Sequence, residues 1–209
     1  MKVARSKGTP SLDKYTDTIN DPFYRLKNLL SIDVLNYSRK NFRLSKDNEI
    51  KQLRNYNRQN VAFAKKFDRT TKLRQTEAKV EKFRNVFYGE NYEYNPEFKQ
   101  VLQVLKRDNP NTEFIIFTTP ISTPLFEALV DEGNLDDYHR WINDIITVFG
   151  GVHNFMYPNS VTNDLSNYFD GHHFYPRVGK MIAKKISTDE AIGVPDDFGV
   201  YITERIKPN

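Results

Sequence analysis

The 209-residue chain reads as an α/β protein, a parallel sheet of few strands in the C-terminal half preceded by a helical arm. Three observations point there. Phe98, Val101, Leu102 and Leu105 recur at the spacing of one helix face. Directly after them, Glu113-Phe114-Ile115-Ile116-Phe117-Thr118 is an apolar run of strand length, rich in β-branched and aromatic residues, as expected of a strand covered on both faces. Before them, Ser45 to Phe87 scatters apolar residues among many Lys, Arg, Asn and Gln, a helical stripe too sparse for deep burial.

In chain order, residues 1–20 are a polar, irregular lead-in containing Gly8-Thr9-Pro10-Ser11. Residues 21–94 form the basic helical arm. It opens on Asp21-Pro22, an acidic cap and a proline, ahead of Phe23, Leu26, Leu29 and Leu30. Residues 95–209 form the α/β unit. Asn95-Pro96 starts a helix that Asp108-Asn109-Pro110-Asn111 closes as a turn, and the Glu113–Thr118 strand follows. Thr119 to Pro124 makes the loop at that strand's C-terminal end, where open α/β sheets bind ligands. Thr123-Pro124 begins the next helix, with Leu125, Phe126, Leu129 and Val130 on one face. Gly133-Asn134 interrupts it, and Tyr138, Trp141, Ile142, Ile145, Ile146 and Phe149 make a second stripe that ends at Gly150-Gly151. Val152 to Met156 alternates as a second strand, Pro158 to Asn167 is a polar loop, and Tyr175 to Ile186 is a closing amphipathic helix.

Composition limits the chemistry. Hydrophobic residues make up 38% and charged residues 28%, with 15 Phe and 12 Tyr supplying aromatic burial. The absence of cysteine excludes disulfides, thiolate nucleophiles and thiolate metal sites. No apolar run approaches the about 20 residues that span a bilayer, and Met1 to Pro10 lacks a signal peptide's apolar stretch, so the chain as written is expected to be soluble. Charge is asymmetric: Met1 to Tyr94 holds 21 Lys and Arg against 11 Asp and Glu, and the remainder holds 10 against 16. A basic arm packed on an acidic body, or an anionic partner for the first part, accounts for this.

The chemically pointed segment is Tyr168-Phe169-Asp170-Gly171-His172-His173-Phe174-Tyr175-Pro176. A carboxylate that holds one nitrogen of an imidazole leaves the other free to take a hydroxyl proton, and an acid three residues before a histidine can reach it in a turn. The plainer alternative has Asp170 capping the last helix with His173 packed beside it. Thr118, Thr119 and Ser122, at the strand's C-terminal edge, and His172, beside the base, are the candidate substrate-binding residues. The hydroxyls serve equally well to satisfy local backbone, and His172 to face solvent or support its loop. Ser122, Ser160 and Ser166 read as caps or loop residues rather than nucleophiles. His153, His172 and Asp170 lack the spacing of a ligand set, so no metal is expected.

From about Asn95 to Ile186 the chain resembles the SGNH (GDSL-type) hydrolases, on the Asp170-x-x-His173 pair before a terminal helix. Asn111-Thr112-Glu113-Phe114-Ile115-Ile116-Phe117-Thr118-Thr119-Pro120 and Tyr138-His139-Arg140-Trp141 also resemble the C-terminal half of large bacterial SGNH-like cell-envelope proteins. The resemblance implies a flavodoxin-like parallel sheet, with Asp170 as the acid and His173 as the base. It further implies an esterase or O-acyltransferase acting on acyl esters of carbohydrate or cell-envelope polymer, without a cofactor and with an extracytoplasmic or envelope location. The chain has no Gly-Asp-Ser, Gly-x-Ser-x-Gly or Gly-x-Asn-Asp, so the nucleophile and oxyanion blocks are expected upstream of Met1, or the activity is absent.

Two other readings stand beside it. Arg54, Arg58, Lys65, Lys66, Arg69, Lys72 and Arg74, interleaved with Tyr56, Phe63 and Phe67, suit a non-catalytic module that engages an anionic polymer, a nucleic acid or a partner subunit. A sheet this short of strands also suits a subunit that completes its sheet with another polypeptide.

Overall fold

A computed structural model describes residues 23, 26, 29–44, 54–56, 62–90, 92–187 and 192–204. The chain divides into two units, residues 1–51 and 52–209. Residues 52–94 of the basic arm therefore belong to the same unit as the C-terminal part.

In the first unit, helix α1 (Ile32–Leu44) starts where Ser31 Oγ accepts the Val34 N–H at 3.2 Å. In the second unit a small antiparallel hairpin, β1 (Arg54–Tyr56) and β2 (Ala62–Ala64), comes first. Arg58 and residues 45–53 of the expected stripe lie outside the described residues. Helix α2 (Arg69–Phe83) is capped by Asp68, whose carboxylate accepts the Thr71 N–H at 2.9 Å, and runs into a π-helical turn at Arg84–Tyr88. Helix α3 (Phe98–Asp108) follows, then an extended segment, α4 (Thr123–Asp131) and α5 (Leu135–Phe149). Gly150, at φ 89°, supplies the left-handed residue that ends α5. After β3 (Gly151–Asn154) come the single turn α6 (Ser160–Asn163), α7 (Pro176–Ser187) and β4 (Val200–Thr203).

The expected parallel, flavodoxin-like sheet is not what forms. Among the described residues the strands make two antiparallel pairs, β1 with β2 and β3 with β4, and helices dominate. Parallel pairing survives as one bridge, Phe117 to His153, in which Thr118 N–H donates to His153 O at 3.0 Å and His153 N–H donates to Ile116 O at 2.9 Å. The reason lies in the faces of the Glu113–Thr118 run. Ile116 and Thr118 turn inward, but Ile115 and Phe117 are 59% and 46% exposed, so the run is covered on one face only. No hydrogen bond among the described residues reaches the backbone of Ile115 or Phe117.

The core has two parts. Ile121, Leu125, Phe126, Leu129, Tyr138, Ile142, Ile145, Ile146 and Val152 join α4 and α5 to β3. Phe155, Val161, Val178, Ile182 and Phe198 join α6 and α7 to the segment before β4. A fully buried leucine such as Leu125 contributes about 2 kcal/mol of transfer free energy, so the α4–α5 stripe read from spacing is what anchors this unit. Among the described residues no helix is long and apolar enough to cross a membrane.

Candidate functional site

The Asp170 segment is the tip of a narrow loop. Tyr168 and Phe174 form an antiparallel bridge, Phe169 N–H donates to His173 O at 3.1 Å, and Tyr175 N–H donates to Asn167 O at 2.8 Å. Four residues, Asp170 to His173, must turn within that closure. Gly171 makes this feasible at φ 75°, where a β-carbon would be strained and would sit 2.8 Å from Thr76 Cγ2 of α2. The loop is thus pressed against α2. It is also tied to the start of α4, because Ser122 N–H donates to Gly171 O at 2.9 Å.

Asp170 is the hub. Its Oδ1 accepts the backbone N–H groups of His172 at 3.1 Å and His173 at 2.8 Å, and its two oxygens lie 3.1 and 2.9 Å from His173 Nδ1. Lys79 Nζ, from α2, sits 2.9 Å from Oδ2. Burial pushes the carboxyl pKa up, but hydrogen bonds from Lys79, the His173 backbone and the His173 ring outweigh it and hold the pKa at about 2. The carboxylate is therefore charged at neutral pH and fixes the His173 ring by Nδ1, turning Nε2 away from Asp170.

Two rings frame that imidazole. Phe169 stacks on His173 with centroids 5.2 Å apart and planes 9° from parallel. His172 stands edge-on, its Nδ1 3.3 Å from His173 Nε2, and packs on Phe83 at 5.1 Å. Burial, then the neighbouring His173 charge, lowers the His172 pKa.

The structure brings Asp170, His172 and His173 together and places the hydroxyl candidates differently. Thr118 is buried, donating to Asn154 Oδ1 at 2.8 Å while its Oγ1 accepts the N–H groups of Phe155 at 2.8 Å and Met156 at 3.1 Å. Thr119 is exposed. Ser122 is fully buried, its Oγ without a hydrogen-bond partner, and it serves the site through its backbone. Ser166 is engaged by Asp164 and Arg177 and Ser160 by Asp197. Among the described residues no serine or threonine hydroxyl bonds to His173, and no three His, Asp or Glu side chains converge as a metal group.

Lys79 is the member that sequence reasoning missed. Lys72, Thr76 and Lys79 recur at helical spacing on one face of α2, a pattern indistinguishable in sequence from a solvated basic face. Here that face meets the loop: Lys72 Nζ donates to Ser166 O at 3.2 Å and lies 5.0 Å from the Tyr175 ring centroid, and Thr76 abuts Gly171.

No family model, curated protein or solved structure matches the chain.

Proposed function

We propose that the chain carries the acid–base pair of an SGNH-type esterase or O-acyltransferase whose substrate is an acyl ester of a carbohydrate or cell-envelope polymer. The observation that carries the reading is the Asp170 carboxylate held on His173 Nδ1. His173 Nε2 takes the proton of an attacking hydroxyl as its oxygen bonds to the ester carbonyl carbon. When the tetrahedral intermediate collapses, the carbonyl–oxygen bond to the leaving alcohol breaks and His173 returns the proton to that alcohol. The hydroxyl is that of water or of the acceptor, since none among the described residues bonds to His173. His172 must swing from Nε2 for the hydroxyl to approach, because its Nδ1 occupies that place at 3.3 Å.

Hydrolysis of 4-nitrophenyl acetate tests the reading. A rate above buffer that falls by about 100-fold or more in His173→Ala supports it. A rate that survives that substitution, or no rate above buffer, overturns it.

A second reading has one observation in its favour. Lys72, beside a cavity of about 520 Å³ that it lines with Arg69, Asp164 and Ser166, has its pKa lowered by burial and then by the Arg177 charge, against the opposing charge of Asp164. Cations crowded this way suit an anionic polymer. Polyanion affinity that falls steeply with salt and is lost in Lys72→Ala/Arg69→Ala supports it, and no binding at low salt removes it.

A further inference from the structure

A cleft of about 350 Å³ opens where the stretch following the π-helical turn crosses α5. The rings of Phe87, Tyr88, Tyr92, Tyr94, Phe98 and Trp141 line it, an unusual density of aromatic surface for a chain segment left open to water. Such rings are normally spent in a core; here Phe87 is 47% exposed and Trp141 half-buried. The acid–base pair makes no use of this cleft, which lies beyond Phe83, the ring between His172 and Tyr88.

Its charged lining has one sign. Asp137 and Glu93 line the cleft, and among the described residues no Lys or Arg does. Burial and then the Asp137 charge raise the Tyr92 pKa, and Asp144 accepts the Tyr94 hydroxyl at 2.8 Å while Lys99 stands 3.7 Å from it. Lys99 and Arg140 stand at the edge of this group, Lys99 beside Asp144 and Arg140 on the Tyr94 ring. Arg140 itself shows what the rings accept: its guanidinium carbon lies 4.3 Å from the Tyr94 centroid, a cation seated on a ring face.

We propose that this cleft binds an organic ammonium ion, a quaternary or alkylated amine whose apolar body fills the space between the rings and whose charge rests against their faces and Asp137. Ring faces and carboxylates attract the same charge, so an anion is repelled and a neutral ligand forgoes the electrostatic part of the attraction. The cavity is of the size that encloses a small organic molecule. The inference is independent of the Asp170–His173 pair.

Trp141 is the chain's single tryptophan, so its fluorescence reports the cleft directly. Choline, its neutral isostere 3,3-dimethyl-1-butanol and methyl glucoside are titrated against the intact chain. Saturable change with choline, at least about tenfold weaker binding of the isostere, and about tenfold loss of choline affinity in Asp137→Asn are expected. Equal binding of choline and the isostere in the unaltered protein, saturation by the glucoside alone, or no saturable response to choline below about 100 mM overturns the proposal.

Discussion

Lys79 and Asp170, far apart in sequence, meet at 2.9 Å, so the carboxylate that orients His173 is itself oriented by α2. The pair is mostly shielded, with side chains 22% and 19% exposed. Lys79→Met removes a charge-assisted hydrogen bond and is expected to cost about 1 to 2 kcal/mol in urea unfolding. In the same variant the Asp170 carboxyl, followed by its carbon-13 shift, titrates above about 2. An unchanged titration would show that Lys79 does not govern this carboxylate.

Acid should weaken the fold in two stages. The Asp170 pKa is depressed to about 2 from 3.8, so its contribution is fully present above 3.8 and lost as pH falls through about 2. The shift corresponds to about 2 kcal/mol. The His172 pKa lies below 6.5, so the unfolded chain takes up that proton first and stability also falls as pH drops below 6.5. Urea midpoints measured from pH 7 to 2 should fall once below 6.5 and again below 3.8, and His172→Phe should remove the upper fall only.

Gly171→Ala and Gly133→Ala separate strain from collision. Both positions have positive φ, 75° and 81°, where an alanine costs about 1 to 2 kcal/mol. Only at Gly171 does a β-carbon also meet Thr76, at 2.8 Å, whereas at Gly133 nothing lies within 4 Å. Gly171→Ala is expected to be the more destabilising by at least about 1 kcal/mol in thermal unfolding.

Two buried hydroxyls should respond oppositely to removal. Thr118→Val strands the buried Phe155 N–H, while the Met156 N–H keeps Asn154 Oδ1 at 3.1 Å, and is expected to cost about 1 to 3 kcal/mol. Ser122→Ala removes an oxygen that has no partner and should be neutral or slightly stabilising, with aryl acetate hydrolysis unchanged. A large rate loss in Ser122→Ala would make Ser122 a participant in the reaction.

The helices were legible because their signals are local. Leu125, Phe126 and Leu129 mark α4 behind Thr123-Pro124, and Gly150 stops α5 where a left-handed residue is required. The Asp170–His173 meeting was legible for the same reason, since three residues of turn span it. The sheet was not. Phe-Ile-Ile-Phe looks the same whether both faces are covered or one is open, and the openness of Ile115 and Phe117 depends on what lies beside them. Nor could local spacing reveal that Val200–Thr203 pairs antiparallel with β3, that Lys79 reaches Asp170, or that Tyr92 and Trp141 share a cleft.

The Ile115–Phe117 rim is also held in place. Thr118, one residue on, is pinned by its hydroxyl and its amide, and Ile116 by its carbonyl, so the outward amide groups keep a fixed spacing. A passing extended polypeptide meets a template that needs no ordering of its own, with greasy side chains at the right intervals. A lysine in place of Ile115 would set a charge on that rim and oppose such edge-to-edge pairing.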